Sequence, residues 1–175
     1  MTPSGSLILV VDASVARSAG ETEDPVSAAC RRFLVRAMSI CYRLVMTRAI
    51  IDEWQRHQSA FSRKWLSAMT AKRKVVWLKG IPHATSIDAE GIIDPRGRQI
   101  LIKDLHLLEA ALSTDSIVVS RDDTCREVVQ NCSPVIPVLR QIVWLNPINL
   151  DGDLDAALRN YPNRRLRREL RRWYT

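Results

Sequence analysis

Asp12, Glu53, Asp104 and Asp122 are the residues of this chain best placed to do chemistry. Asp12 ends the apolar run Leu7 to Val11, and Asp122 follows Ile117-Val118-Val119 after one Ser and one Arg. Glu53 and Asp104 fall in the opening turns of two expected helices. Carboxylates at strand ends and helix starts converge on one edge of a parallel sheet. Such a cluster repels itself unless a positive charge sits in it, and a hard divalent cation with oxygen ligands is the usual occupant. Each acid alone also has a plainer explanation, as a turn former, a helix cap or a first-turn residue favoured by the helix dipole. Asp12 fits that explanation least, because an unpaired carboxylate at the end of a buried strand is costly.

Positioning these acids requires strands alternating with helices. Leu7 to Val11 is short, continuous and apolar, as expected of a strand buried on both faces. Ser18 to Asp24 is polar and carries Gly20, which predicts a loop. Asp24 then caps a helix that starts at Pro25 and runs to about Met38. Tyr42 to Met46 reads as a second strand, and Thr47 caps a helix whose apolar face holds Ile50, Ile51 and Trp54. Phe61, Trp65, Leu66 and Met69 give a further amphipathic helix. Val75 to Leu78 is a short strand or extended segment, and residues 82–97 are rich in turn formers. Lys103 to Leu112 is predicted as one helix, with Leu105, Leu108, Ala111 and Leu112 facing inward. Ser116 to Ser120 is the next strand and Asp123 to Gln130 a short helix. Val135 to Leu139 and Ile142 to Leu145 both suit strands. The pattern predicts an α/β domain with a mostly parallel sheet. In such sheets ligands bind beyond the carboxyl ends of the strands, where Asp12 and Asp122 would lie.

The chain has 175 residues, 46% of them hydrophobic, which suits one domain with an appendage. Its net charge of +7 is concentrated: residues 159–173 hold seven Arg and one Glu and carry +6, leaving +1 for the rest. Within that segment Leu166, Leu170 and Trp173 share one helical side and Arg fills the remainder. Arg164, Arg165, Arg167, Arg168, Arg171 and Arg172 suit nucleic-acid phosphate, and equally a solvated face or an acidic protein partner. Trp173 is the tryptophan best placed to stack on a base or a partner, whereas Trp54, Trp65, Trp77 and Trp144 are expected in the core. The four cysteines show no close pairing, which argues against zinc and for reduced thiols in the cytoplasm. No basic leader segment precedes the first apolar run, and no stretch approaches the roughly 20 apolar residues of a membrane span. His57, His83 and His106 lack ligand spacing and are expected at the surface or in packing.

These patterns together resemble the PIN-domain family, which includes toxin ribonucleases of the VapC type. Leu9-Val10-Val11-Asp12-Ala13-Ser14 is similar to its first motif, a strand ending in Asp with Ser or Thr two residues on. Glu53 in Ile50-Ile51-Asp52-Glu53-Trp54 matches the second acidic position. Asp104, heading Leu105-His106-Leu107-Leu108-Glu109-Ala110-Ala111, matches the third. Val118-Val119-Ser120-Arg121-Asp122 matches the fourth, and Trp144-Leu145-Asn146-Pro147 resembles the close of the domain. The resemblance spans about residues 6–147. The stretch 82–97 reads as an insertion, and the tail falls outside the pattern.

The resemblance implies a three-layer α/β/α PIN-like nuclease domain over residues 1–147, followed by a helical Arg-rich extension over 148–175. It implies a metal-dependent endoribonuclease, the toxin of a toxin–antitoxin pair being one setting. Asp12, Asp104 and Asp122 would hold Mg²⁺ or Mn²⁺, with Glu53 completing the catalytic set and Asp52 as its alternate. Ser14, Ser120 and Asp123 are accessory candidates, and Asp115 is expected as a surface turn residue. The implied partners are RNA or single-stranded DNA, an antitoxin or other acidic protein, and a second copy of the chain. Two competing functions stand beside this one: a non-catalytic RNA- or protein-binding protein that keeps the fold, and a structure-specific DNA nuclease.

Overall fold

The computed structural model describes residues 7–40, 42–80, 87–91 and 94–150. Five strands form one sheet: β1 (Ile8–Val11), β2 (Arg43–Met46), β3 (Val75–Trp77), β4 (Ile117–Val119) and β5 (Val143–Leu145). Their spatial order is β3-β2-β1-β4-β5, and all four pairings are parallel. Seven helices connect them among the described residues: α1 (Ala13–Ser18), α2 (Pro25–Ser39), α3 (Arg48–His57), α4 (Ala60–Ala71), α5 (Pro95–Lys103), α6 (Leu105–Leu112) and α7 (Asp123–Cys132).

This order follows from the chain's reversal of direction. From β1 the connections through α1 to α4 step outward to β2 and β3, and the next connection crosses back to β4 on the other side of β1. Because crossovers of this kind are right-handed, the reversal puts α1–α4 on one face and α5–α7 on the other. The packing agrees: α1 meets α2 and α3, and α2 meets α4, while α5 meets both α6 and α7. The result is an α/β fold with a helix layer on each face. β1 and β4 are buried because each has a strand on both sides and a helix layer on both faces. Phe33, Leu34, Trp54 and Trp65 fill the first layer, and Leu107, Ala110 and Ala111 seal the second against the sheet. A smaller cluster under α5, α6 and α7 contains Leu101, Leu108, Cys125 and Val129.

Local signals explain most of the boundaries. Asp24 accepts hydrogen bonds from the amides of Val26 and Ser27 at the start of α2, and Thr47 accepts from Ile50 at the start of α3. Asp94 does the same for Arg96 and Gly97 ahead of Pro95, so a helix occupies the end of the turn-rich stretch. Two expectations need correction. Lys103 to Leu112 is not one helix, because the chain breaks at Asp104 to turn α6 onto β1 and β4; Leu107, Leu108, Ala110 and Ala111 are its buried residues, and Leu105 and Leu112 are only half-buried. Val135 to Leu139 is not a strand. Pro137 has no amide to give a ladder, and the segment coils into a 3-10 turn over Pro137–Gln141 that sets Ile136 and Leu139 in the smaller cluster.

The described cysteines, Cys30, Cys125 and Cys132, are free and buried. Trp54 and Trp65 are core residues with ring centroids 6.1 Å apart, and Trp144 is half-buried. Trp77, expected in the core, lies on the edge strand β3 and is 54% exposed. Among the described residues no helix is long and apolar enough to cross a membrane. The six arginines from Arg164 to Arg172, Trp173, His83 and most of the expected 148–175 extension lie outside the described residues.

Candidate active site

The order β3-β2-β1-β4-β5 puts the reversal of chain direction between β1 and β4. Helices leaving the two strands there go to opposite faces and leave a crevice at their carboxyl ends. Asp12 is the residue after β1, and Asp122 follows β4 by three residues. The amide of Asp12 donates to the carbonyl of Val119 at 2.9 Å, which fixes the two strand ends side by side.

Glu53 and Asp104 arrive from the two helix layers. The indole nitrogen of the buried Trp54 donates to the carbonyl of Val11 at 2.9 Å, pinning α3 to the end of β1 next to Asp12. Glu53 is the neighbour of that anchor. It sits in the second turn of α3 and not in the first, as expected from sequence. Asp104 occupies the break between α5 and α6, again outside an opening turn. All four acids line one cleft of about 230 Å³, together with Ala13, Ser14, Arg17, His57 and Lys103. Asp52 does not line it; its carboxylate accepts from Arg48 Nε at 3.1 Å, so of the two neighbouring acids the fold brings Glu53 to the cleft.

Asp12 makes no cap hydrogen bond to α1. Its Oδ2 instead receives two hydroxyls, those of Ser14 and of Ser120, the latter at 2.7 Å. The same serines take backbone donors from the β4–α7 turn: Arg121 N to Ser14 Oγ at 3.2 Å and Asp122 N to Ser120 Oγ at 3.0 Å. The two hydroxyls thus lock both strand-end acids into one frame. Asp122 also keeps its plainer role, since its Oδ1 accepts from Cys125 N at 2.9 Å and caps α7.

Asp104 is 8% exposed. Burial pushes its carboxyl above the usual range, and the charges of Asp12 and Asp122 push it further; Lys103 and the Cys125 thiol pull the other way. Cys125, held beside Asp104, is itself raised by burial and by that carboxylate, so it stays a thiol. His106 is half-buried, with Nε2 3.2 Å from Glu53 Oε2. The contact is close without being aligned as a hydrogen bond. His106 was expected only at the surface or in packing; its partner is distant in sequence, so no spacing signal pointed to it. His57 is exposed, as expected, but it also lines the cleft.

Asp123 does not line the cleft. Its Oδ2 accepts from Asn146 Nδ2 at 3.0 Å and its Oδ1 faces Arg126 Nε at 3.5 Å, so it ties α7 to the end of β5. Asp115 is structural too: at the opposite end of the sheet its Oδ2 accepts from Ile8 N at 2.7 Å and caps the start of β1.

The donor set is carboxylate oxygen throughout. Among the described residues no group of three or more His, Cys, Asp or Glu side chains stands close enough together to hold a metal ion. Acids that share a cleft without forming such a group suit only a hard cation that keeps most of its water, as Mg²⁺ does. No protein-family model matches the chain, and no curated protein matches it either.

Proposed function

We propose that the chain is a metal-dependent endoribonuclease of the PIN-domain type, hydrolysing RNA phosphodiester bonds. The observation that carries this reading is the meeting of Asp12, Glu53, Asp104 and Asp122 in one cleft at the reversal point of a parallel sheet. A protein that only bound RNA would have no use for four acids gathered where phosphate must come. The toxin half of a toxin–antitoxin pair is the biological setting this reading suggests.

Asp12, Asp104 and Asp122 would hold Mg²⁺ or Mn²⁺, with Glu53 completing the set. When bound, such an ion lowers the pKa of a water and offsets charge on the phosphate under attack. The chain's own residues prepare for it. Ser14 and Ser120 both occupy Oδ2 of Asp12, which leaves Oδ1 as the oxygen available to a ligand. Burial makes Asp104 costly to ionise alone, so a cation beside it relieves a penalty already present. His106 stands against the Glu53 carboxylate at 3.2 Å.

The test compares wild-type protein with Asp122→Asn on labelled RNA and single-stranded DNA, in Mn²⁺ and in EDTA. Asn retains an acceptor for Cys125 N, so the α7 cap survives the substitution. RNA cleavage by wild type in Mn²⁺ alone is expected. Equal cutting by the variant, or cutting that survives EDTA, overturns the proposal.

A further inference from the structure

The cleft has a basic rim as well as an acidic floor. Arg17 lies in the last turn of α1, and Lys103 is the last residue of α5. The two belong to opposite helix layers, yet both line the cleft that holds the four acids. Both are exposed, and Lys103 Nζ stands 3.9 Å from Asp104 Oδ1, an ion pair too long for a hydrogen bond. Two cations on opposite walls of an acidic recess cost little while they face water. They become useful when a polyanion crosses between them.

What the cleft lacks is also informative. Among the described residues lining it there is no Trp, Tyr or Phe. Trp54 and Trp65 are spent in the core, and Trp77 sits on the sheet edge at β3, two strands from β1. Proteins that grip single strands by their bases stack those bases on aromatic rings. Apart from His57, whose imidazole could meet a base, the charged groups on the rim address the sugar–phosphate chain, and such contacts position a strand without reading its sequence. The cleft of about 230 Å³ opens to solvent. That is room for a phosphodiester with a hydrated cation.

We infer that Arg17 and Lys103 are substrate-positioning residues: they seat the phosphates on either side of the reacting one, a hold on the backbone that is the same whatever base the strand carries. The inference rests on the nuclease reading of the four acids for the word "reacting", but the grip itself is measurable without cleavage.

The experiment uses the full chain as wild type, Arg17→Gln, Lys103→Gln, the double variant, and Lys64→Gln as a control on the exposed side of α4. Binding is measured in EDTA over a series of salt concentrations. The probes are single-stranded poly(U), poly(A) and an abasic strand of equal length. Each cleft substitution is expected to lower the slope of log affinity against log salt by about 0.7, and the double variant by about twice that. The loss should be the same for all three probes, and Lys64→Gln should leave the slope unchanged. In Mn²⁺ the cleft variants should raise KM several-fold with little change in kcat. An unchanged slope in the double variant, or a loss confined to one base, overturns the inference. If wild type cuts nothing in Mn²⁺ while the slopes fall as expected, the grip stands and the nuclease reading falls. If it cuts while the slopes stay fixed, the grip falls alone.

Discussion

His106 and Glu53 meet across the carboxyl edge of the sheet, Nε2 to Oε2 at 3.2 Å, and in doing so join the two helix layers. α3 brings Glu53 from one face and α6 brings His106 from the other. Burial raises the Glu109 carboxyl one turn along the same helix, and the electrostatic influence of His106 offsets part of that rise. His106 therefore acts on the cleft through Glu53 and not by touching what binds there.

Replacing His106 with Gln should loosen Glu53 while leaving the four acids in place. Groups that orient a metal's ligands typically cost about 10–100-fold when removed. The concentration of Mn²⁺ giving half-maximal cleavage should rise by about tenfold, with the far-ultraviolet circular dichroism unchanged. A metal requirement identical to wild type would reduce His106 to a packing residue.

Asp104 should trade stability for function. Its folded-state pKa lies above the unfolded value, with burial as the main cause. Below the unfolded pKa both states carry the proton and the group contributes nothing. As pH rises from there through the folded pKa, ionisation disfavours the folded state, and the cost is complete above it. Asp104→Asn should therefore be more stable than wild type at pH 7, with the gain vanishing as pH drops below about 3.9. Chemical denaturation at a series of pH values checks this. Mn²⁺ should raise the Tm of wild type and not of the variant, since a ligand stabilises only the state that binds it. A variant less stable than wild type at pH 7 would contradict the assignment.

Strand-end acids and helix caps were legible in the sequence for a physical reason. A buried parallel strand is a short apolar run, so whatever polar residue ends it must stand at the sheet edge, and this located Asp12 and Asp122. Asp24 with Pro25 and Thr47 before Ile50 carried their own stop and start chemistry. The break at Asp104 was not legible, because no Pro or Gly marks it; it comes from α5 and α6 packing on different partners. Pro137 did mark the 3-10 turn, but the apolar run around it outweighed one missing donor. Helix α1 has six residues, too short to show a period. The roles of His106 and Asn146 depend on partners more than twenty residues away, which no local pattern encodes.

Ser120 is 1% exposed and gives its hydroxyl to Asp12 while taking the amide of Asp122. Ser120→Ala removes a hydrogen bond to a charged group and strands a donor, so the free energy of unfolding should fall by about 1.5–3 kcal/mol. Urea titration of the single and double Ser14→Ala and Ser120→Ala variants would measure this. Strict additivity would mean that the two hydroxyls do not share Asp12 as described.

Arg73 follows the end of α4 with φ of 57°, in the left-handed region. A side chain there costs about 1 kcal/mol relative to glycine. Arg73→Gly should raise stability by about 0.5–1 kcal/mol by denaturant titration, and a loss would show that the Arg73 side chain matters more than its backbone.

The pairing of Leu9 with Ile117 joins residues more than a hundred positions apart at the centre of the sheet. Contacts of that span close late, because a long loop must first be brought together. As the chain emerges during synthesis, its first half carries Asp12 and Glu53 beside an open, apolar edge of β1. A nascent chain that ends before β4 therefore has three of its four acids and no cleft. The cleft closes only once β4 and the turn that carries Asp122 have been made.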